Sequence, residues 1–282
     1  MKNIYPLIHP SFRNRNPFLM VLFFILSSAP LLAVPLNGNY NVGSGQTYTT
    51  LTAAITDLNT NGVSGPVTFT LTDATYSTSE TFPISINTIS GASATNTVRI
   101  IPSASSSGVS ISSANAIATL LLNGATYVTI DGRAGGTGTT IVLNIINTNA
   151  AGVAIKITND ASFNTITYCD VQGQNTVSVP ALTTAAGVIF INSASATTNN
   201  GNDKNIISYC NVHGTGTTTS TFPTVGICAY GTQTTTATYN DTCTITNCNI
   251  YDIFNATLAA THVKIDLGNT DWNITNNRFY HT

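Results

Sequence analysis

Carboxylates are scarce in this chain, eleven in 282 residues, so those that fall near a histidine, an arginine or an aromatic ring stand out. Asp131 and Asp170 lie in phrases that resemble one another, Tyr127-Val-Thr-Ile-Asp-Gly132 and Asn164-Thr-Ile-Thr-Tyr-Cys-Asp-Val-Gln-Gly173. Two carboxyl groups about 5–9.5 Å apart are what glycosidic hydrolysis needs. Later phrases put His213, Tyr251 and Tyr280 at one shared position and Arg278 at a neighbouring one. A row of aromatic and polar side chains can stack on a sugar chain and hydrogen-bond it. Each feature also has a plainer reading: Asp131 belongs to an Asp-Gly turn, Asp170 is solvated surface, and the rings are scattered surface aromatics that need no explanation.

The elements that position these residues are repeats. The phrase at Asn164 returns as Asn205-Ile-Ile-Ser-Tyr-Cys-Asn-Val-His-Gly214, Cys243-Thr-Ile-Thr-Asn-Cys-Asn-Ile-Tyr-Asp252 and Trp272-Asn-Ile-Thr-Asn-Asn-Arg-Phe-Tyr280. Matching positions recur at intervals of 41 (Val171 to Val212), 38 (Val212 to Ile250) and 29 residues (Ile250 to Phe279). Recurrence on this scale marks one supersecondary unit stacked on itself. Cys169 and Val171 alternate with polar residues, the spacing of one strand face. A second ladder precedes each phrase: Gly152-Val-Ala-Ile-Lys-Ile157, Gly187-Val-Ile-Phe-Ile-Asn192, Gly226-Ile-Cys-Ala-Tyr230 and His262-Val-Lys-Ile-Asp-Leu267. A parallel β-helix puts like residues on like about 4.8 Å apart, whereas a sandwich has no reason to repeat its residues. With Val171 inward, the outward columns read Thr129, Asp170, Asn211, Asn249, Arg278 and Asp131, Gln172, His213, Tyr251, Tyr280. Repeat lengths differ because insertions sit in turns, and Ala194 to Lys204 reads as one of them.

Composition narrows the class. The chain is 42% hydrophobic and only 7% charged, against about 25% charged for ordinary soluble domains. Formal net charge is −2 and becomes −5 without Lys2, Arg13 and Arg15; nothing basic clusters, so nucleic acid is not an expected partner. Residues 1–33 read as an export signal, with a basic start, the apolar core Phe18 to Leu26 and a small-residue exit at Ser27, Ser28, Ala29 and Ala33. The apolar run is shorter than a span of about 20 residues, so no membrane span is expected after cleavage. Residues 34–125 read as an N-terminal cap with the first coils, and 126–282 as the β-helix repeats. Leu51, Ala54, Ile55 and Leu58 predict one amphipathic helix that covers the open end of the stack. Strands are expected at 66–71, 82–86, 97–101 and 118–122. Five cysteines cannot all pair within the chain; Cys169, Cys210 and Cys248 share one phase and read as a buried column, with Cys243–Cys248 or Cys228–Cys243 bridges as alternatives. No Cys-x-x-Cys pair occurs and the four His do not bracket the cysteines, so no metal site is expected.

A Thr-Leu-x-x-Ala-Ile helix, a Gly-Pro-Val-x-Phe-x-Leu strand, Tyr-Val-Thr-Ile-Asp-Gly-Arg and repeated Asn-x-Ile-x-x-Cys coils together resemble the right-handed parallel β-helix, or pectin lyase-like, superfamily. More narrowly, the chain is similar to secreted β-helix repeat surface proteins of bacteria with type IX secretion. The resemblance implies an all-β right-handed solenoid, secreted or held at the cell surface, with a polysaccharide or cell-surface glycan as partner and adhesion or glycan binding as function. Its alternative is a polysaccharide lyase or glycoside hydrolase with Asp131, Asp170, His213 and Arg278 as the working stripe, and only the lyase form would call for calcium. Tyr251, Tyr280 and His213 are the candidate ligand-binding residues, with no cofactor. The chain stops inside a coil at His281-Thr282, so the solenoid is expected to be C-terminally incomplete.

Overall fold

Within the phrase at Asn164, Ile166 and Cys169 are three residues apart while Cys169 and Val171 are two apart, and the odd step is a corner. A computed structural model, which describes residues 34–193 and 200–282, shows a strand at Thr165–Thr167, a single bend residue, Tyr168, and a second strand at Cys169–Gly173. The third strand of that coil is Ile189–Asn192. The export signal expected over 1–33 and residues 194–199 of the expected insertion lie outside the described residues.

Coil after coil, these three positions build three parallel sheets of eight, seven and six strands, here sheets 1, 2 and 3. The chain is a right-handed parallel β-helix. In sheet 1, Ile166 lies between Ile130 and Ile207, and Ile245 and Ile274 continue the row. In sheet 2 the inward row is Ile145, Val171, Val212, Ile250 and Phe279. In sheet 3 it is Leu120, Ile155, Ile189, Ile227 and Val263. Apart from the last coil, where Val263 is half-buried and Ile274 and Phe279 are exposed, these side chains are buried in one continuous core. Apolar transfer at about 25 cal/mol per Å² drives that burial, and parallel pairing makes it repeat.

The corner between sheets 1 and 2 turns on a single left-handed residue in every regular coil. Tyr168, Tyr209, Asn247 and Asn276 all occupy left-handed backbone, with φ of 51°, 54°, 55° and 57°. Asn tolerates this region and Tyr seldom adopts it. The compensation is lateral, because Tyr168 and Tyr209 stack on each other.

Turns inside the stack need their polar groups satisfied, since a buried unpaired amide is costly. Asn side chains do this in ladders. Asn205 Oδ1 accepts from both the backbone N–H and the side-chain amide of Asn164, each at 3.1 Å, and Asn205 Nδ2 donates to Ala161 O at 2.8 Å. A parallel ladder runs from Asn202 to Asn240 (2.7 Å) and on to Asn269 (3.0 Å). Cys169, Cys210 and Cys248 form the buried column that their phase predicts, and all five cysteines are buried and unbridged. Neither alternative bridge is made.

Helix α1 (Leu51–Asn61) buries Leu51, Ala54, Ile55 and Leu58, the four residues expected to face inward. Thr50 caps it by accepting from Ala53 N, and the Glu80 carboxylate accepts from Leu51 N and Thr52 N at 2.8 and 2.6 Å. An anion at the helix N-terminus meets both its free N–H groups and its dipole. Asn59 covers the edge of the strand Ile84–Ile86, donating to Ser85 O and accepting from Asn87 N. The strands expected from residue 66 to 122 are observed at Val63–Leu71, Ile84–Ile86, Val98–Pro102 and Ala118–Asn123. Sequence periodicity does not show several others, the longest being Leu36–Val42, Val109–Ser113 and Leu143–Asn147.

Outside sheet 3 the segment after Gly173 folds back across the strands. Val177, Ala185 and Ala186 cover an outward apolar patch of Ala118, Leu121, Val153, Phe190, Val225 and Cys228. Sheet 3 is therefore packed on both faces, which explains why its strands read as continuous apolar runs.

Candidate functional site

Sheet 2 presents its outward side chains in two adjacent rows. One row is Asn144, Asp170, Asn211, Asn249 and Arg278; the other is Ile146, Gln172, His213, Tyr251 and Tyr280. From Asp170 and Gln172 onward the rows are those expected from sequence. Their first members are not. The structure pairs Asp170 with Asn144 and Gln172 with Ile146, while Thr129 and Asp131 pair with Thr165 and Thr167 in sheet 1. The correction has a physical cause. Asp131 ends a sheet 1 strand, and a loop from Gly132 to Val142 replaces the short corner before sheet 2 resumes at Leu143. A fixed step back of one repeat therefore lands on the wrong sheet.

Asp131 is also occupied. It is 1% exposed and carries two guanidinium groups, Arg133 with contacts of 2.7 and 2.9 Å and Arg99 at 2.9 Å. Burial pushes its carboxyl upward, but the bonds from Arg133 and Arg99 outweigh this and hold it below the usual carboxylate range. Arg133 in turn lies 4.5 Å over the Tyr168 ring. This is a structural knot tying two coils to a loop. Asp131 and Asp170, the carboxylates considered as a hydrolytic pair, stand on different sheets, and Asp131 is taken up by its two arginines.

On the stripe itself, Asp170 Oδ1 lies 2.7 Å from His213 Nε2, and His213 Nδ1 lies 2.7 Å from the carbonyl of Gly214. Both partners are oxygens that accept, so the ring is fixed at both nitrogens. Gln172 adds a longer contact to Asp170 Oδ2 at 3.4 Å. His213 then starts a stack, with Tyr251 at 4.5 Å between ring centroids and Tyr280 a further 4.9 Å on. Interplanar angles of 13° and 10° leave the rings nearly parallel. Burial first, then the charge of Asp170, pushes the Tyr251 hydroxyl up to about 12, so it is a neutral donor at ordinary pH. Exposed Arg278 closes the row, its guanidinium 5.4 Å from the Tyr280 centroid.

This geometry changes what the row can do. Tyr251 meets a ring on each face, so stacking of a sugar on the middle of the row is closed. What remains outward is a line of ring edges and hydroxyls beside the amides of Asn211 and Asn249, which are joined at 3.0 Å, and the guanidinium of Arg278. Such a line suits hydrogen bonding to a hydroxylated polymer lying along the solenoid axis. Calcium does not suit it, since the stripe offers a single carboxylate, Asp170, against the six or more oxygens that calcium takes. Among the described residues, no group of three or more His, Cys, Asp or Glu is placed to hold a metal ion.

Two further aromatic stacks escaped the sequence reading. Tyr127 and Phe163 lie 5.0 Å apart with Lys204 over Phe163, and Tyr168 and Tyr209 lie 4.8 Å apart with Arg133 over Tyr168. Tyr preceding Cys in two successive phrases was the available signal for the second. Carboxylates gather elsewhere too, since a cleft of about 520 Å³ is lined by Asp160, Asp203 and Asp241 together with Phe163, Lys204 and Tyr239. Among the described residues, no helix is long and apolar enough to cross a membrane.

No protein-family model matches this chain, and no curated protein matches it. Solved structures similar to it include a pectin methylesterase variant in complex with a hexasaccharide, 14% identical over 87% of this chain and 67% of that one, with a TM-score of 0.47. The pectin methylesterase of Aspergillus niger in deglycosylated form is 12% identical over 89% of this chain and 87% of that one, with a TM-score of 0.36.

Proposed function

We propose that this chain is an exported β-helix protein of the cell exterior that binds polysaccharide or cell-surface glycan along the outer face of sheet 2, in adhesion or glycan capture rather than turnover. One observation carries the reading: the in-register outward row His213, Tyr251, Tyr280, flanked by Asn211, Asn249 and Arg278, on a scaffold whose sheet 3 is covered on its outer face. Strand stacking spaces hydroxyl, amide and guanidinium groups about 4.8 Å apart, a rigid comb that contacts several sugar units without reorganising. Weak contacts repeated along a polymer add up through effective concentration. The apolar leader from Phe18 to Leu26 supports export.

Enzymatic turnover has less support. The stripe holds one carboxylate, and that carboxylate is bound to His213. The test is retention on a panel of insoluble and arrayed polysaccharides, run beside an assay for reducing ends and unsaturated products. Binding without turnover that falls at least tenfold in both Tyr251→Ala and Arg278→Ala is the expected result. Product release that vanishes in Asp170→Ala would replace this reading with the lyase or hydrolase one. Retention unchanged in both variants would remove the stripe from the function.

A further inference from the structure

The described chain holds three lysines, Lys156, Lys204 and Lys264, and their surroundings differ. Lys204 sits over the Phe163 ring at 5.0 Å. Lys264 donates to Ser178 O at 3.0 Å and lies 3.3 Å from Asp266. Lys156 has no hydrogen-bond, ion-pair or ring partner among the described residues, although it is only partly exposed. A half-buried ammonium without a counter-charge is an expensive arrangement, so its persistence asks for an account.

The fold explains how it arises. Lys156 stands in the outward row of sheet 3, between Leu121 of the preceding coil and Phe190 of the next. The segment bearing Val177 and Ala185 closes over that row and leaves a cleft of about 210 Å³. The cleft is walled by Ala116, Ile117, Ala151, Val177, Thr183 and Ala185, with Lys156 as its one titratable side chain. Leu121 and Phe190 bring no charge from the neighbouring strands, and the next charged residue along the row is Lys264, three strands on. Burial, unopposed by any neighbouring carboxylate, lowers the Lys156 amine below the ordinary lysine range. Lysines placed in this way act as amine nucleophiles, because desolvation exposes the lone pair at a pH where surface lysines are protonated.

We propose that Lys156 is the reactive amine of a carbonyl-capturing cleft, taking small aldehydes such as the open-chain form of a short sugar. The neutral ε-amine adds to the aldehyde carbon to give a carbinolamine. Loss of that hydroxyl as water, with the second nitrogen proton leaving, gives an imine. One C=N bond replaces one C=O bond, one water is released, and no redox change occurs. The cleft is open enough to admit a small aldehyde, and exposed Thr183 and Thr184 on its rim offer hydroxyls to those of a sugar fragment.

Labelling of the full chain tests this. Glycolaldehyde with cyanoborohydride, which fixes an imine as a secondary amine, is applied between pH 6 and pH 9, and adducts at the three lysines are quantified by peptide mass spectrometry. At pH 7 Lys156 should carry at least tenfold more adduct than Lys204 or Lys264, with its pH midpoint the lowest of the three. Lys156→Met should abolish the dominant adduct and leave the circular-dichroism spectrum unchanged. Labelling of Lys156 equal to or slower than that of Lys204 at every pH overturns the proposal. So does protection of Lys156 by millimolar acetate without any adduct, which would make the cleft an anion site instead. Because Lys156 lies on sheet 3, failure here leaves the glycan row on sheet 2 untouched.

Discussion

Inward along sheet 2 the side chains Ile145, Val171, Val212, Ile250 and Phe279 change little from coil to coil; one residue away, outward, Ile146, Gln172, His213, Tyr251 and Tyr280 change at almost every step. The strands and the spacing are shared, so the contrast comes from the medium on each side. Inside, each side chain before the last coil has neighbours about 4.8 Å above and below and a packed core beside it, and only a similar volume fits. Outside, water accepts almost any polar group. Repetition inside is therefore a demand of folding, and the outward row is free of that demand.

Three substitutions sharpen that contrast, or break it. The largest effect is expected for Val212→Asp, which puts a carboxylate at a position with no exposure, between Val171 and Ile250. An uncompensated buried charge costs about 4 kcal/mol, enough to unfold the C-terminal coils. Thermal melts should show it, whereas His213→Asp on the same strand should shift the melt far less. Comparable losses in the two variants would dissolve the distinction between faces.

Next comes Asn205→Ala, which strips partners from Asn164 N, the Asn164 amide and Ala161 O in one stroke. Leaving such groups unpaired in the interior costs about 3 kcal/mol. Asn249→Ala on the outward row should stay within about 0.5 kcal/mol. Urea titrations of both variants measure the pair, and an Asn205→Ala protein as stable as the parent would mean that the ladder is decorative.

The smallest effect concerns Asp131. Its carboxyl is held below the usual range in the folded chain, so its contribution is fully present above about pH 4 and is lost as pH falls through the folded value. Asp131→Asn should lower stability by about 2 kcal/mol at pH 7 and give a shallower loss on acidification from pH 5 to pH 2. Parallel acid limbs in parent and variant would show that the two arginines do not matter to folding.

What the sequence made legible follows the same division. The inward columns, the cysteine column and the capping helix could be read directly, because confinement forces similar residues to recur. The bend between sheets 1 and 2 was present as the three-residue step from Ile166 to Cys169, but it was read as one strand. Asp131 was misplaced because a loop occupies its corner, and loop lengths leave no trace in the apolar spacing. The stacks Tyr127–Phe163 and Tyr168–Tyr209 were missed for a related reason. They project from left-handed corner residues, which belong to neither face of a strand, so alternation says nothing about them. Lys156 needed the covering segment to be seen in place, since in the sequence it is one lysine among apolar neighbours.

Each coil pairs only with the coil before it and the coil after it, over separations of 41, 38 and 29 residues in the last four (Val171–Val212, Val212–Ile250, Ile250–Phe279). No contact in these rows waits for a distant part of the polypeptide. A chain threaded end first through a pore therefore has, at every moment, the whole template for the turn that has just arrived, and it can wind as fast as it is delivered. Directional delivery and directional winding are matched in this architecture, and the helix at its front end gives the first turn a surface to form on.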